Sequence, residues 1–406
     1  MPALNLPLSG LRTSRFLLLP FAFFLFPCVF PMIYLHIPFC KQKCSYCNFH
    51  FSTSLKHKDE MMAAMKKEIF LRKDELDSKI LKSLYFGGGT PSILGADELK
   101  SVIDEVLKFF EFDSDIEITL EANPDDLDAT FLKGISQTPI NRLSIGTQSF
   151  FNDDLKMMNR AHNASEAEGS IKRAQDFGFE NISIDLIYGS PTSDFEIWKQ
   201  NLNMALALEV PHISAYALTV EPKTALNQWI QQNKIQAPKE AEQTEEFYYM
   251  SDFLKNHGFD HYEISNFGKP GFHSQHNSAY WKSHEYLGLG PSAHSYNGGN
   301  ERSWNIANNQ LYINSLNQNK LPKETEVLSE SEQFNEMMMI GLRTLTGVDL
   351  ADLNNRFGDD VRQHLEKETK QRIADGILTV ENNHLRIPEK HWFLADGIAS
   401  DVFMVD

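Results

Sequence analysis

Residues 33–47 of the chain read IYLHIPFCKQKCSYC. The first four letters form a short apolar and aromatic run of the kind found in buried strands. Cys40, Cys44 and Cys47 follow it with the spacing CxxxCxxC. Three thiolates on one short loop can bind three irons of a [4Fe–4S] cluster and leave the fourth iron open to another ligand. We therefore predict a strand that leads into a cluster-binding loop, with these three cysteines as the metal ligands.

A structural zinc ion is the alternative interpretation of the three cysteines, with His50 as a fourth ligand. Closed structural zinc sites usually combine paired CxxC units, and this sequence has one group of three. The chain has four cysteines in 406 residues, and three of them lie within eight positions. A disulfide framework would distribute them in pairs, so this usage fits a reducing compartment in which thiolates bind metal.

The sequence after the cysteine loop predicts a parallel sheet with helical crossovers. Short β-branched or aromatic runs bounded by Gly and Pro alternate with longer helix-like stretches, as is typical of that architecture. The predicted strands cover residues 33–36, 83–86, 116–121, 142–146, 182–187 and 213–218. The predicted helices cover residues 59–77, 96–110, 128–135, 165–177 and 194–207. Six strands make three-quarters of an eight-stranded barrel, so the predicted fold class is α/β with a partial (β/α)6 barrel.

Polar or glycine-rich residues follow the predicted strands, at the end where barrels of this class carry their function. The triple glycine at 87–89 allows close backbone approach to a ligand, although a tight turn would explain it equally well. Glu121 and Asp185 lie on apolar strands, where an unpaired carboxylate is costly. A polar ligand at the barrel mouth explains both carboxylates; ion pairs with Arg142 or Arg160 are the alternative.

The complete set of motifs resembles the radical S-adenosylmethionine (radical SAM) superfamily, and within it the oxygen-independent coproporphyrinogen III oxidase family. The resemblance extends over residues 32–400 and is carried by HIPFCKQKCSYC, FGGGTPS, LEANPDDL, IGTQSF, MNRAH and IDLIYGSP. It implies that SAM binds the open iron through its amine and carboxylate, and that Tyr46 shields the site. It also implies a set of further SAM contacts: Tyr34, Gly88, Gly89, Thr90, Glu121, Gln148, Arg160, Asp185 and Ala217.

Two departures separate this sequence from the true oxidases of that family. Those enzymes carry a fourth cysteine two residues beyond the third, where this chain has Phe49. They also carry an N-terminal extension that helps to close the active site, and the N-terminal tract here does not resemble it. The chain instead resembles the HemW branch of the family, the heme chaperones, and no catalytic residue is assigned.

The resemblance to the HemW branch is carried by HNSAYW at residues 276–281, which matches the heme-binding motif HNxxYW. It implies heme contacts at His276, Asn277, Tyr280 and Trp281. An imidazole can bind heme iron, and Tyr and Trp offer flat apolar faces; the alternative is that His276 only packs or forms hydrogen bonds. The implied function is to bind heme and pass it to acceptor hemoproteins, respiratory ones included. Radical decarboxylation of coproporphyrinogen III is the alternative function.

The remaining sequence sets the predicted domain boundaries. The barrel covers residues 32–260, and residues 261–318 form an aromatic, His-rich and loop-rich region that carries the heme motif. Residues 319–406 form a mostly helical C-terminal domain. Its predicted helices at 331–344 (with Ser331 as the N-cap), 349–357 and 360–374, followed by a hairpin, resemble a winged helix. Residues 326–406 carry 16 acidic and 8 basic residues and the chain has a net charge of −17, so nucleic acid is not expected as a partner.

The N-terminal extension, residues 1–31, is the last feature. Residues 16–34 are apolar and uncharged, which suggests a signal peptide or membrane anchor. Prolines at 20, 27 and 31 interrupt any helix, and we expect translation to start at Met32, with an anchor as the main alternative. We expect a cytoplasmic protein, in peripheral contact with the inner face of the membrane if its acceptors lie there. The resemblance to the family also suggests a homodimer.

Overall fold

The computed structural model describes residues 30–405. All six predicted strands are present and lie side by side in chain order, each parallel to the next. They are β1 (Met32–Ile37), β2 (Ile80–Gly88), β3 (Glu111–Ala122), β4 (Arg142–Gln148), β5 (Asn181–Tyr188) and β6 (His212–Ala217). The connecting helices are α1 (Lys58–Arg72), α2 (Ala96–Val106), α3 (Ala129–Ile135), α4 (Asn152–Met157), α5 (Ala164–Asp176) and α6 (Phe195–Ala207). The partial-barrel prediction is confirmed, and α4 is the one crossover helix that the sequence did not predict.

The packing of this layer follows from the apolar pattern of its elements. Every residue of β4 is buried, because crossover helices cover the outer face of a parallel sheet and its inner face lines the barrel. On α2, the buried side chains are those of Leu99, Val102, Ile103 and Val106, a spacing of three and four that gives one apolar stripe. A capping box between Asn163 and Glu166 begins α5, which fixes where the loop ends and the helix starts.

The sheet continues beyond β6, where the sequence predicted mainly loops. Strands β7 (Asp260–Glu263), β8 (Asn266–Gly268), β9 (Tyr286–Leu289), β10 (His294–Tyr296), β11 (Glu301–Asn305) and β12 (Lys323–Val327) join it. The order is β12-β11-β10-β9-β1-β2-β3-β4-β5-β6-β8-β7, with β9 parallel to β1 and β8 antiparallel to β6. The remaining helices of this part are α7 (Ala225–Gln231), α8 (Glu240–Asn256), α9 (Gln275–Trp281) and α10 (Asn309–Asn317).

The loop-rich prediction for residues 261–318 missed five short strands, β7 to β11. The strands in this region have three to five residues each, too few for a period of two to be visible in the sequence. The predicted boundaries at residues 260 and 318 both fall inside the one sheet.

The C-terminal part has the helices and hairpin that the sequence predicted. Its elements are α11 (Glu330–Gly341), β13 (Val348–Asp349), α12 (Leu350–Ala374), β14 (Thr379–Glu381), β15 (His384–Arg386) and α13 (Ala395–Ser400), with a small sheet in the order β13-β15-β14. A break at Gly358, where φ is +80°, divides α12 into the two predicted helices. The N-cap of α11 is Ser329 rather than Ser331, because the Ser329 hydroxyl accepts from the Glu332 amide at 3.3 Å.

The predictions for residues 1–31 lie almost wholly outside the described residues. Within residues 30–405, no helix combines the length and the apolar character needed to cross a membrane.

Candidate functional site

A cavity of about 540 Å³ opens at the carboxyl ends of the parallel strands, beside the cysteine loop. Twelve of the thirteen residues predicted to bind the cluster or SAM line it. They are Cys40, Cys44, Tyr46, Cys47, Gly88, Gly89, Thr90, Glu121, Gln148, Arg160, Asp185 and Ala217. The exception is Tyr34, whose ring lies 6.0 Å from that of Tyr85 and whose hydroxyl is 3.4 Å from His36 Nδ1. The strand ends that the sequence predicted to carry the site therefore meet at one cavity, and Tyr34 is not part of its wall.

The cysteine loop is fixed by several neighbouring segments. Asn159 donates from its side-chain amide to the Lys43 carbonyl at 2.7 Å, and the Ser45 amide donates to the Met158 carbonyl at 3.0 Å. Lys41 forms ion pairs with Asp125 and Asp126. These contacts attach the loop to the segments that follow β3 and α4. The backbone that carries the three thiols is therefore fixed beside the cavity.

The three thiols are free and half-buried. The Arg160 guanidinium donates from Nη1 to Cys44 Sγ at 3.3 Å, and from Nη2 to the Gly146 carbonyl at 2.9 Å. Burial raises the pKa of the Cys40 thiol to about 11, and the neighbouring Cys44 and Cys47 add to that shift. A cationic group beside adjacent thiols suits a site that binds them as thiolates.

The alternative of a zinc site with His50 gains no support. His50 Nε2 is hydrogen-bonded to Asn309 Oδ1 at 2.7 Å. Among residues 30–405, no set of three or more His, Cys, Asp or Glu side chains is arranged to hold a single metal ion. A [4Fe–4S] cluster requires a different arrangement from a single metal ion, because each cysteine binds a separate iron.

The glycines at the end of β2 pack closely against β1 and the residues that follow it. A Cβ at Gly89 would lie 2.5 Å from the Phe39 carbonyl oxygen, and one at Gly88 would lie 2.6 Å from His36 Nδ1. Gly88 also has a φ of +105°, which favours glycine. Close packing between neighbouring backbone segments therefore accounts for Gly88 and Gly89, and both residues also line the cavity.

Glu121 lies at the end of β3 and faces the cavity. The Tyr85 hydroxyl donates to its Oε1 at 2.8 Å. Burial raises the pKa of the Glu121 carboxyl to about 7, and Asp185 nearby adds to the shift. Burial likewise raises the pKa of Asp185 to about 6, against the opposing effect of Arg142. Both carboxyls therefore lack a full charge partner in the ligand-free protein.

The ion pairs that the sequence offered as an alternative for these carboxylates are not formed. Arg142 is buried and its Nε lies 3.9 Å from Glu117 Oε2. Arg160 contacts Cys44, Gly146 and, at 2.6 Å, Asn123 Oδ1. In the described part of the chain neither arginine pairs with Glu121 or Asp185, so a polar ligand remains the better explanation for them.

Gln148 occupies a strained position at the end of β4. Its φ is +65°, and the register between β4 and β5 shifts between Ile145 and Gln148. Bulges of this kind redirect a side chain at the rim of a barrel, and strain of this kind is common at ligand sites. Here Gln148 contributes to the cavity wall.

The motif HNSAYW forms helix α9, and His276 lies at the other end of the barrel from the cysteines. Its Nδ1 is 2.6 Å from the Ser83 hydroxyl, and its Nε2 is 3.0 Å from the Tyr280 hydroxyl. Ser83 pairs with Met32, the first residue of β1, whereas the cysteine loop follows the last. His276 is 1% exposed, and burial lowers the pKa of its imidazole to about 3. Both ring nitrogens are thus engaged, and this conformation does not support His276 as an iron ligand.

The other three motif residues line a second cavity of about 350 Å³. Its wall comprises Tyr216, Glu263, Ile264, Ser265, Asn266, Asn277, Tyr280, Trp281 and Arg343. Tyr216 also lines the first cavity, and 44% of its surface is exposed. The two cavities therefore share one aromatic wall.

Several residues of this site were missed from the sequence. Asn123 lies within the LEANPDDL string and accepts a hydrogen bond from Arg160. The sequence identified the motif but not this role of Asn123 in orienting Arg160. Ser144 lines the first cavity and donates to Asp185 Oδ1 at 3.3 Å; its position on β4 was the only available signal. Arg343 comes from the C-terminal part, and no local pattern associates it with the barrel.

Comparisons with known proteins agree with this architecture. The Radical SAM superfamily model matches residues 34–205, and that of the HemN C-terminal domain matches residues 328–394. The heme chaperone HemW of Bacillus subtilis is 36% identical over 85% of this chain and 92% of its own length. HemW of Lactococcus lactis is 32% identical over 92% of this chain and 97% of its own length.

A more distant relative and a solved structure extend the comparison. The mitochondrial radical S-adenosyl methionine domain-containing protein 1 of Bos taurus is 31% identical over 87% of this chain and 83% of its own length. The structure of coproporphyrinogen III oxidase (HemN) from Escherichia coli has a TM-score of 0.80 at 21% identity, and covers 93% of this chain and 90% of that chain. At that identity the similarity demonstrates a shared fold.

Proposed function

The chain belongs to the HemW family of the radical SAM superfamily, and on that premise we propose that it binds heme and passes it to acceptor hemoproteins. The observation that carries this proposal is the pair of cavities that meet at Tyr216: one is lined by the cluster and SAM residues, the other by Asn277, Tyr280 and Trp281.

We propose that Cys40, Cys44 and Cys47 hold a [4Fe–4S] cluster and that SAM binds in the first cavity. A cluster of this type with an open iron supplies an electron to bound SAM in this superfamily. Arg160 donates to Cys44 Sγ and orients the loop. Glu121 and Asp185 offer carboxylates, with raised pKa, that a polar ligand with hydroxyl or amine donors would satisfy.

Heme is proposed to lie against Tyr216 and to extend into the second cavity. The exposed Tyr216 ring offers an apolar face of the kind that suits a flat macrocycle. The rings of Tyr280 and Trp281 line the neighbouring wall. His276 acts behind them as a positioning residue, since it holds the Tyr280 hydroxyl.

The cellular setting rests on family resemblance alone. Action in the cytoplasm near the inner face of the membrane, respiratory acceptors and a homodimer all stay predictions.

The test is to reconstitute the cluster anaerobically in the full chain and to add heme and coproporphyrinogen III in separate experiments. We expect a saturable heme Soret band and no decarboxylated product. Product formed from coproporphyrinogen III without stable heme binding would instead support the oxidase alternative.

A further inference from the structure

The second cavity combines an aromatic wall with a guanidinium from the C-terminal part of the chain. Arg343 lies two residues beyond the end of α11, and its guanidinium carbon lies 5.9 Å from the centre of the Trp281 ring. The Ile264 amide donates to the Arg343 carbonyl at 3.1 Å. This backbone contact holds Arg343 against the turn between β7 and β8. Its side chain lines the second cavity together with residues of that turn.

Two hydrogen-bond donors at this wall have no acceptor within the described residues. The Trp281 indole Nε1 is buried and makes no hydrogen bond, which is unusual because a buried indole normally finds a partner. Arg343 uses Nε and Nη2 in a two-point contact with Asp396, each at 2.6 Å. That contact leaves Nη1 of the guanidinium without an acceptor among residues 30–405.

One carboxyl also lines the cavity and must be compatible with the ligand. Glu263 accepts from the Ser265 amide at 3.2 Å and from the Asn266 side chain. Burial raises the pKa of the Glu263 carboxyl to about 7, so near neutral pH it is partly protonated and opposes an anion less than an ordinary glutamate would. Arg343 remains the cationic group of this wall.

We propose that Arg343 and the Trp281 indole form a subsite for a carboxylate of the bound ligand. This inference rests on the proposed function: if the ligand is heme, the group is a propionate. An unpaired indole N–H and a guanidinium nitrogen together match the acceptor oxygens of a carboxylate, and guanidinium is the side chain best suited to that group. Arg343 belongs to the C-terminal part and Trp281 ends α9 beside the sheet, so the ligand would contact both parts of the molecule.

The experiment compares heme with heme dimethyl ester, in which both propionates are neutral, on the full chain in one detergent buffer. Binding is followed by Soret titration for the wild type, for Arg343→Gln and for Asp396→Asn. Asp396→Asn is the matched control, because it breaks the same ion pair but keeps the guanidinium.

We expect Arg343→Gln to weaken heme binding roughly 10-fold to 100-fold and to leave binding of the dimethyl ester unchanged. Asp396→Asn should bind heme at least as tightly as the wild type does, because it frees the guanidinium. Equal losses for heme and its ester in Arg343→Gln, or the same loss in Asp396→Asn, would overturn the subsite. A wild-type chain that binds neither form would contradict the proposed function, and the subsite with it.

Discussion

Glu121 is a buried carboxyl in the wall of the first cavity, and burial raises its pKa to about 7. Its raised pKa means that the folded protein retains a proton that the unfolded chain has already released between roughly pH 4.5 and 7. The contribution of this group to the free energy of unfolding therefore falls as pH rises through that window, and it is lowest above pH 7.

Replacement of Glu121 by Gln should remove this penalty in the ligand-free protein. We expect Glu121→Gln to raise the free energy of unfolding by about 1–3 kcal/mol at pH 8, and by much less at pH 5. Chemical denaturation at the two pH values measures the difference. Glu326→Gln, on the exposed strand β12, is the control. An equal effect at both pH values would show that the carboxyl is not the titrating group.

The hydrogen bonds of His276 predict how its substitution affects heme binding. Because Ser83 and Tyr280 occupy both of them, His276→Ala should lower heme affinity through a displaced Tyr280 while the Soret maximum stays in place. His276→Gln can still bond to these hydroxyls and should recover most of the affinity. A shifted Soret maximum in His276→Ala would instead identify His276 as an iron ligand.

Predictability at the residue scale depended on whether a residue belonged to a contiguous motif. The cysteines follow β1, Glu121 lies near the end of β3 and Asp185 lies in the second half of β5, so their convergence at one edge followed from the parallel topology. The direction of a side chain within a motif did not follow. His276 shares its motif with Trp281, yet its ring is bonded to Ser83 and Tyr280 and lines neither cavity.

Among the elements, the turn that ends α4 contacts the cysteine loop directly. Asn159 has a φ of +53°, and its side chain holds the cysteine loop through the Lys43 carbonyl. Asn319 has a similar φ of +58° at the end of α10, where its side chain is exposed.

We expect Asn159→Ala and Asn319→Ala each to lower the free energy of unfolding by about 1–2 kcal/mol, since alanine is strained in the left-handed region. Only Asn159→Ala should also reduce the iron and sulfide content after anaerobic reconstitution. Equal cluster content in the two variants would show that the loop does not depend on this contact.

Long strands and helices could be predicted from the sequence, whereas the shortest strands could not. Strands of six to twelve residues between amphipathic helices gave clear signals, and β1–β6 were predicted. Strands β8 and β10 have three residues each and form because neighbouring strands supply hydrogen-bond partners. That cause is non-local, so composition alone suggested loops.

At the scale of the whole molecule, the sheet and the C-terminal part meet beside the second cavity. Glu263 forms a β-bridge with Thr344, and the Leu345 amide donates to the Tyr262 carbonyl at 3.0 Å. Arg343 directly precedes Thr344 in the chain, and its side chain reaches Asp396 on α13. The sequence predicted both parts but not their contact, because residues about eighty positions apart produce it.

The transfer of heme to an acceptor tests the central claim most directly. The cluster-reconstituted full chain, loaded with heme and freed of excess, is mixed with an apo-hemoprotein, and the two are separated by size. We predict that the Soret absorption moves to the acceptor fraction with the acceptor's own spectrum. Heme that stays on this chain, or that never binds it in a saturable way, would contradict the account.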